Sequence, residues 1–358
     1  MRKTMHRRTL LLLVFLVMAV WSVPALSAGI QESYTFDGDE LKITNMIGKV
    51  DVRPSSGDEI KVTVNILGED AEDGVLDFET TKGELNINFP IDDHKKYVYP
   101  DLGSGSKTTI SYKDENSGGS WLRNLFGGER ITVRGKGSGL EIWADVVVEV
   151  PKGRNLEVKL GVGRIEAEDV QGDLVLDTHS GAIQATNIEG DLLADTGSGR
   201  VTASAVRGNV HVDTGSGKVE LADCRGEDIL VDTGSGSVKA ENLICSDLNI
   251  DTGSGSVRAL GVETDDAKID TGSGSVVLQL DRMGTGRFVL DTGSGSIVLE
   301  LPSDASARIS ADTGSGSMNN ELHGAIVKNK SRREMTLLLG DGEANVILDA
   351  GSGSITVK

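Results

Sequence analysis

The chain contains few of the residues from which most catalytic and metal sites are built. Of its 358 residues, 4% are aromatic, two are cysteine and five are histidine. This scarcity disfavours a carbohydrate-active enzyme, whose cleft needs paired carboxylates and usually aromatic platforms. The histidines at 94, 179, 211 and 323 have no metal-ligand spacing, and no phosphate-binding loop or nucleophile elbow occurs. The composition therefore gives little support to an enzyme.

Long apolar runs are absent after the first 28 residues. Positions 2, 3, 7 and 8 are basic, residues 10–21 are apolar, and small residues at 25 and 27 precede a cleavage point after Ser27. This is the pattern of a signal peptide, and the apolar run is short for a membrane span. With no cysteine nearby, a lipidated amino terminus is not expected. We expect an exported chain with no transmembrane segment, located in the periplasm, in the envelope or outside the cell.

Positive charge is also scarce. The formal net charge is −19, and loss of the basic leader makes it more negative. Such a balance disfavours nucleic acid and anionic lipid as partners, and cationic partners or divalent ions are its complement. An acidic surface is equally the ordinary way in which a protein stays soluble.

What the chain does contain is a five-residue motif, Asp-Thr-Gly-Ser-Gly. Two degenerate copies begin at Asp177 and Asp349. Intact copies begin at Asp195, Asp213, Asp232, Asp251, Asp270, Asp291 and Asp312. Successive copies are 18 to 21 residues apart, except for a last gap of 37. A fixed short period predicts a solenoid, in which each repeat buries its apolar face against its neighbours.

Apolar residues keep one register relative to the motif. Around Asp232 they are Ile229 and Val231 before it, and Val238 and Ala240 after it. This alternation predicts two short strands joined at the Gly-Ser-Gly corner, with equivalent strands stacked in parallel about 4.8 Å apart. The predicted fold is all-β: a right-handed, single-stranded parallel β-helix (β-solenoid) with coils of about 18–21 residues.

The motif itself has a structural interpretation. We expect the Asp side chain to accept hydrogen bonds from the turn, and the glycines to adopt positive φ. Stacked carboxylates repel by roughly 1 kcal/mol, whereas a charge-assisted hydrogen bond contributes roughly 1.5–3 kcal/mol. The ladder should therefore persist without a cofactor. Weak divalent-cation binding is possible, with these calcium candidates: Asp213, Asp232, Asp251, Asp270 and Asp291.

Two enzyme-like or metal-like interpretations of the motif are disfavoured. Asp-Thr-Gly occurs in aspartic proteases, which bring two copies together so that two carboxylates share a proton. Nine copies along one wall are not such a pair. Calcium-binding nonapeptide solenoids carry Gly-Gly-x-Gly-x-Asp in each half-turn, and this chain lacks that pattern. An obligatory metal is not expected.

The two cysteines lie in consecutive repeats. Cys224 occupies a position that is Val206 and Leu243 in other repeats, which predicts a core residue. Cys245 occupies a position that is Gly190 or Gly208 elsewhere, which predicts a corner. A disulfide between adjacent coils stays open, because connectivity does not follow from sequence.

The chain divides into four segments: a signal peptide (1–27), amino-terminal solenoid coils (28–91), a polar insertion rich in Gly and Ser (92–139), and the repeat solenoid (140–358). Alternating residues at 41–52, 60–64 and 85–89 predict amino-terminal coil strands, and residues 159–163 form a degenerate motif copy.

Two places interrupt the repeat. The insertion holds an apolar cluster that either braces the solenoid or contacts another molecule: Trp121, Leu122, Leu125 and Phe126. The 37-residue gap holds a basic patch of Lys328, Lys330, Arg332 and Arg333. Because open solenoid ends pair with other chains, edge-to-edge self-association is possible.

A family resemblance rests on several segments. Residues 43–52 and 146–153, the Asp-Thr-x-Ser-Gly-x-Val/Ile repeats and Gly-Asp-Gly at 340–342 resemble the DUF4097 family. The resemblance covers about residues 34–358 apart from the insertion. It implies an exported bacterial β-solenoid, related to autotransporter-adhesin head domains, with no catalytic residues to transfer.

These observations favour an exported, non-enzymatic β-solenoid that acts as an envelope or surface scaffold, or as an adhesin-like binding protein. Its partner would be an envelope protein or polysaccharide. One alternative is a periplasmic accessory or sensor of an envelope stress system, and another is a carbohydrate-active β-helix enzyme.

Overall fold

A computed structural model describes residues 30–110 and 130–358. Within these ranges the chain forms β-strands and one 3-10 helix, Pro100–Leu102, and no described helix is long and apolar enough to cross a membrane. The strands before the repeats are β1 (Ile30–Phe36), β2 (Glu40–Ser55), β3 (Ile60–Leu67), β4 (Asp77–Thr80), β5 (Glu84–Asn88), β6 (Lys96–Val98), β7 (Lys107–Ile110), β8 (Ile131–Arg134), β9 (Trp143–Pro151) and β10 (Asn155–Glu168).

The repeat region alternates between strands that end in the motif and strands that follow it. In chain order they are β11 (Leu174–Ser180), β12 (Ile183–Glu189), β13 (Leu192–Ser198), β14 (Val201–Arg207), β15 (Val210–Thr214), β16 (Val219–Ala222), β17 (Asp228–Thr233), β18 (Val238–Glu241), β19 (Asp247–Thr252), β20 (Val257–Thr264), β21 (Asp266–Thr271), β22 (Val276–Met283), β23 (Arg287–Thr292), β24 (Ile297–Glu300), β25 (Ala307–Thr313) and β26 (Met318–Asn320). The last strands are β27 (Ile326–Lys330), β28 (Glu334–Leu339), β29 (Ala344–Ala350) and β30 (Ile355–Val357).

Each coil contributes one strand to each of two faces of the solenoid. Odd-numbered strands from β11 to β25, with β29, form the face called here the motif sheet. Even-numbered strands from β12 to β26, with β30, form the second sheet, while β2 and β10 run through both. Neighbouring strands are parallel and in register, so that Asp213 pairs with Asp232 and Asp232 with Asp251. The β-solenoid prediction is confirmed.

The core consists of the aliphatic positions that the register indicates. Ile250, Val257 and Ala259 are fully buried, and their equivalents in the other coils are buried except Asn320, which is half-buried. The Thr of the motif also faces inward and is buried in every copy that has it. Its hydroxyl, not the Asp carboxylate, closes the corner: Thr252 Oγ1 accepts from the Gly255 N–H and donates to the Gly236 carbonyl of the preceding coil. The expectation that Asp would make this bond is wrong, because the corner turns toward the core side of the strand.

The motif glycines serve close stacking rather than an unusual φ. No glycine of the seven intact copies has a positive φ, contrary to expectation. A Cβ on Gly255 would instead lie 1.7 Å from the carbonyl oxygen of Gly236 in the preceding coil. Any side chain at this position would push the two coils apart.

A second corner does use the left-handed backbone region. The residue ten positions after the motif Asp has a φ of 54° at Asn187, 55° at Asp223 and 56° at Asn242, and Gly261 takes this place with 64°. Asn and Asp tolerate this conformation better than other non-glycine residues. They also stack, since Asn242 Nδ2 donates to Asp223 Oδ1 at 2.9 Å.

The amino-terminal end is built out of chain order. β2 lies against β10, and the coil outside it is made of β5 and β9. The parallel pairing of β5 confirms the expected coil strand at 85–89. β3, however, is antiparallel to β9, and β1 and β4 are antiparallel to β3 and β5. The expectation of a coil strand at 60–64 is wrong; this strand covers the end of the second sheet.

The carboxyl-terminal end is interleaved in the same way. β29 lies between β23 and β25, and β30 lies between β24 and β26. Residues 344–357 therefore form a coil inserted between two coils that precede them in the chain. The 37-residue gap contains β27 and β28, an antiparallel hairpin that extends the motif sheet beyond β25.

The described part of the insertion carries a separate three-stranded sheet, β6–β8–β7. Its residues Tyr97, Ile110 and Ile131 are buried, and the Tyr99 ring lies 5.7 Å from that of Trp143 on the solenoid wall. The predicted contact residues Trp121, Leu122, Leu125 and Phe126 lie outside the described residues, and the four-segment division stays a prediction.

Candidate binding groove

The outer face of the motif sheet carries three columns of side chains. Side chains alternate across each strand and the strands stack in register, so equivalent residues of successive coils line up. One column is the motif Asp itself. The second column, called here the mixed column, contains both apolar and polar residues. Its members lie two residues before each motif Asp: Val175, Leu193, His211, Leu230, Asn249, Lys268 and Val289. Four residues earlier lies a polar column: Asp173, Asp191, Asn209, Asp228, Asp247, Asp266 and Arg287.

The mixed and polar columns line an open groove of about 760 Å³. It crosses seven coils, which corresponds to about 29 Å at 4.8 Å per strand. Its floor is apolar toward the amino-terminal end, where Val175, Leu193 and Leu230 lie, and Leu193 is 38% exposed. Lys268 and Arg287 lie at the opposite end.

Backbone hydrogen bonds hold the polar column in place. The Asp191 N–H donates to Asp173 Oδ1 at 2.9 Å, and the Asn209 N–H donates to Asp191 Oδ1 at 2.7 Å. Asp266 Oδ1 likewise accepts from the Arg287 N–H. Each bond uses one carboxyl oxygen and links two coils. These bonds hold Asp173, Asp191 and Asp266 in a mostly acidic column along one rim of the groove.

The motif carboxylates form the other acidic row. Burial raises the pKa of Asp195, and the neighbouring Asp213 carboxylate raises it further while His211 opposes the shift. Burial also raises the pKa of Asp232, with added repulsion from Asp213 and Asp251. Burial is the larger cause of both shifts, and the stacking of like charges at one strand spacing adds to it.

The predicted calcium candidates, from Asp213 to Asp291, all lie in this row. Their side chains succeed one another along the solenoid axis and do not converge on a point. Among the described residues, no three His, Cys, Asp or Glu side chains are grouped so as to hold a metal ion. Weak cation binding along the row stays a prediction.

Both cysteines are buried, free thiols. The core position of Cys224 is confirmed. Cys245 is 3% exposed, and its Sγ lies 3.6 Å from Thr264 Oγ1. Burial raises the pKa of each thiol. The sulfurs belong to the packing of the coils and not to the groove.

The register of apolar residues in the sequence did not reveal the groove. The register identified the inner positions but treated the outer ones as mixed and polar. The recurrence of Asp or Asn four residues before each motif, from Asp173 to Asp266, is the signal that could have found its rim.

Comparison with known proteins identifies the family. Residues 101–358 match the sequence profile of Toastrack DUF4097. The chain belongs to the Toastrack DUF4097 family. This confirms the resemblance found in the sequence. Comparison with curated proteins gives no significant match.

Three solved structures are similar to this Toastrack chain. A candidate cell adhesion protein from Clostridium sporogenes is 15% identical over 92% of this chain and 99% of its own, with a TM-score of 0.19. A candidate lipid binding protein from Parabacteroides distasonis is 13% identical over 91% and 96%, with a TM-score of 0.38. A candidate adhesin from Bacteroides fragilis is 12% identical over 92% and 97%, with a TM-score of 0.34.

Proposed function

We propose that the protein is an exported, non-enzymatic β-solenoid scaffold that binds an extended, basic segment of an envelope partner in the groove of the motif sheet. The observation that carries this proposal is the apolar floor at Val175, Leu193 and Leu230, which lies between the mostly acidic polar column and the row of motif Asp side chains. An extended polypeptide with alternating apolar and basic side chains matches both features.

The dimensions support one extended chain as occupant. The two acidic rows are four residues apart along each strand, or about 13 Å at 3.3 Å per residue. Packed β-layers are about 10 Å apart, so a single extended chain along the solenoid axis fits between the rows. Motif carboxylates then recur at one strand spacing along one side of it, and five aspartates of the polar column lie along the other: Asp173, Asp191, Asp228, Asp247 and Asp266.

The acidic rows support binding rather than acid–base catalysis. Two catalytic carboxylates need environments that separate their pKa values. Here Asp232 lies between Asp213 and Asp251, and each of these lies between further motif carboxylates. Because these motif carboxylates have similar surroundings, the row is better suited to binding a ligand of opposite charge at several points than to acid–base catalysis.

Binding by a labelled peptide of alternating lysine and leucine tests the groove. We expect the double variant Leu193→Asn, Leu230→Asn to weaken binding at least tenfold, measured by fluorescence anisotropy. Asparagine is already present in this column at Asn249, so the variant should fold. Val277→Asn, on the outer face of the second sheet, is the matched control and should bind like the wild type.

Equal binding of a glutamate–leucine peptide would overturn the charge argument, and undiminished binding by the double variant would overturn the groove. Scaffold, adhesin and envelope-sensor roles share this binding step. Fractionation of the producing cells tests export and separates a periplasmic location from the cell surface.

A further inference from the structure

The two ends of the motif sheet are edge strands of opposite charge. Starting at the amino-terminal end, the sheet begins with β4 on β5 and finishes with β25, β28 and β27. Within the described residues β4 pairs only with β5, and β27 pairs only with β28. Each outer edge therefore presents backbone N–H and C=O groups to another chain.

The β27 edge is basic and apolar at once. All five of its residues are exposed, with Ile326 at 55% and Val327 at 49%. Lys328 and Lys330 follow in the strand, and two arginines occupy the turn to β28. None of these four cations forms an ion pair with a described residue. Exposed β-branched residues on the open edge of a sheet favour aggregation unless another chain or segment covers that edge.

The β4 edge is acidic. Asp77 and Glu79 flank Phe78 and are exposed, with one cation, Lys82, in the following turn. Burial raises the pKa of the nearby Tyr34, and the negative charges of Glu32 and Asp77 raise it further. This edge is the charge complement of β27.

Strand direction allows the two edges to pair. β28 is antiparallel to β25 and β27 is antiparallel to β28, so β27 runs in the direction of the coil strands, whereas β4 runs against it. Val327 is paired with the buried Leu337, and Phe78 with the buried Ile87. Both side chains therefore project from the inner side of the sheet, where they would meet.

The ends are also stepped to fit each other. At the carboxyl-terminal end the motif sheet extends two strands beyond the last coil, while the second sheet stops at β26. At the amino-terminal end the second sheet extends two strands, β3 and β1, and the motif sheet one. When two copies are placed end to end, three extra strands lie between their coils in the motif sheet and two in the second sheet. The two sheets therefore differ by only one strand spacing across the junction.

We propose that the protein associates head to tail, with β27 of one copy pairing antiparallel with β4 of the next, so that the motif sheet continues from molecule to molecule. Two like ends would bring charges of one sign together, whereas the basic β27 end and the acidic β4 end attract each other. The contact is heterologous, and repetition gives an open linear assembly.

Charge reversal at each end tests this in the full chain. Variant one, Lys328→Glu with Lys330→Glu, makes both ends acidic; variant two, Asp77→Lys with Glu79→Lys, makes both ends basic. We expect the wild type to associate in sedimentation velocity and to form linear particles in electron micrographs. Each variant alone should remain monomeric up to at least tenfold higher concentration, and an equimolar mixture should regain association.

The control reverses two exposed cations away from both edges, Lys152→Glu with Arg258→Glu, and should associate like the wild type. Circular dichroism melting establishes that every variant is folded. A wild type that stays monomeric up to about 1 mM overturns the proposal. So does a mixture of the two variants that fails to associate, since a merely misfolded edge would not be rescued by its complement.

Discussion

The hydroxyl of Thr271 donates a hydrogen bond of 2.8 Å to the carbonyl oxygen of Gly255 in the preceding coil. The Thr271 hydroxyl oxygen also accepts a bond of 2.9 Å from the Gly274 N–H of its own corner. One buried side chain therefore closes its own turn and fastens it to the neighbouring coil. The arrangement recurs at Thr252, Thr292 and Thr313.

Replacing Thr271 by the isosteric valine should lower the free energy of unfolding by about 1–3 kcal/mol, because the Gly274 N–H loses its partner in a buried site. The measurement is the midpoint of urea unfolding followed by circular dichroism. Ser273→Ala, at an exposed position of the same motif, is the control and should change little. Equal stability of the two variants would show that the Thr271 hydroxyl does not stabilise the corner.

Gly255→Ala should be more damaging than the roughly 1–3 kcal/mol typical of an overpacked core. Its Cβ would meet backbone, the Gly236 carbonyl oxygen at 1.7 Å, which cannot move without separating two coils. Thermal unfolding measures the loss. Gly57→Ala, whose Cβ has only the Ser55 hydroxyl at 3.5 Å, should melt close to the wild type. A mild effect at Gly255 would show that stacking tolerates a methyl group.

Asp195→Asn should raise the melting temperature at pH 7 and give no advantage at acid pH. Burial raises the pKa of this carboxyl above its usual 3.8, so protonation favours the folded state. The stability it contributes is complete below pH 3.8 and is lost as the pH rises through the folded-state pKa. Melting curves from pH 3 to pH 7 check this, with the exposed Asp304→Asn as control. A gain that persists unchanged at pH 3 would contradict the ionisation argument.

Removing divalent cations with EDTA should leave the β-sheet circular dichroism and the melting temperature unchanged. Six of the corners, from the one at Thr214 to the one at Thr313, are closed by internal threonine hydrogen bonds, and the motif carboxylates do not converge. Unfolding on addition of EDTA, reversed by calcium, would show that the Asp row is an obligatory metal site.

Both thiols should be unreactive toward a disulfide-exchange reagent in the native protein and fully reactive in denaturant. Cys224 and Cys245 are buried, and burial raises the pKa of each thiol, which disfavours the reactive thiolate. Two thiols per chain are expected after unfolding without reductant. Their absence would indicate a disulfide.

The repeating coil could be predicted from the sequence, but the arrangement of strands at the two ends of the solenoid could not. Period and register place Ile250 and Val257 inside because side chains alternate strictly along a strand. The same alternation cannot tell parallel from antiparallel neighbours, so Ile60–Leu67 looks like another coil strand. The inward position of the motif threonine was not predicted, because its polarity gives no sign that its hydroxyl is hydrogen-bonded inside the corner. The groove depends on outer positions, where composition varies from Leu193 to Lys268 and carries little pattern.

The interleaved coil of residues 344–357 has a consequence for biosynthesis. The coils containing β23 and β25 are adjacent in the chain but not in space, because their shared gap is filled by residues that emerge later. A chain that leaves a ribosome or an export channel amino end first can add coils in sequence only as far as β24. The next coil position beyond β23 and β24 stays unfilled until β29 and β30, which end at residue 357, have been released. Completion of this end thus requires that residues 344–357 have been released.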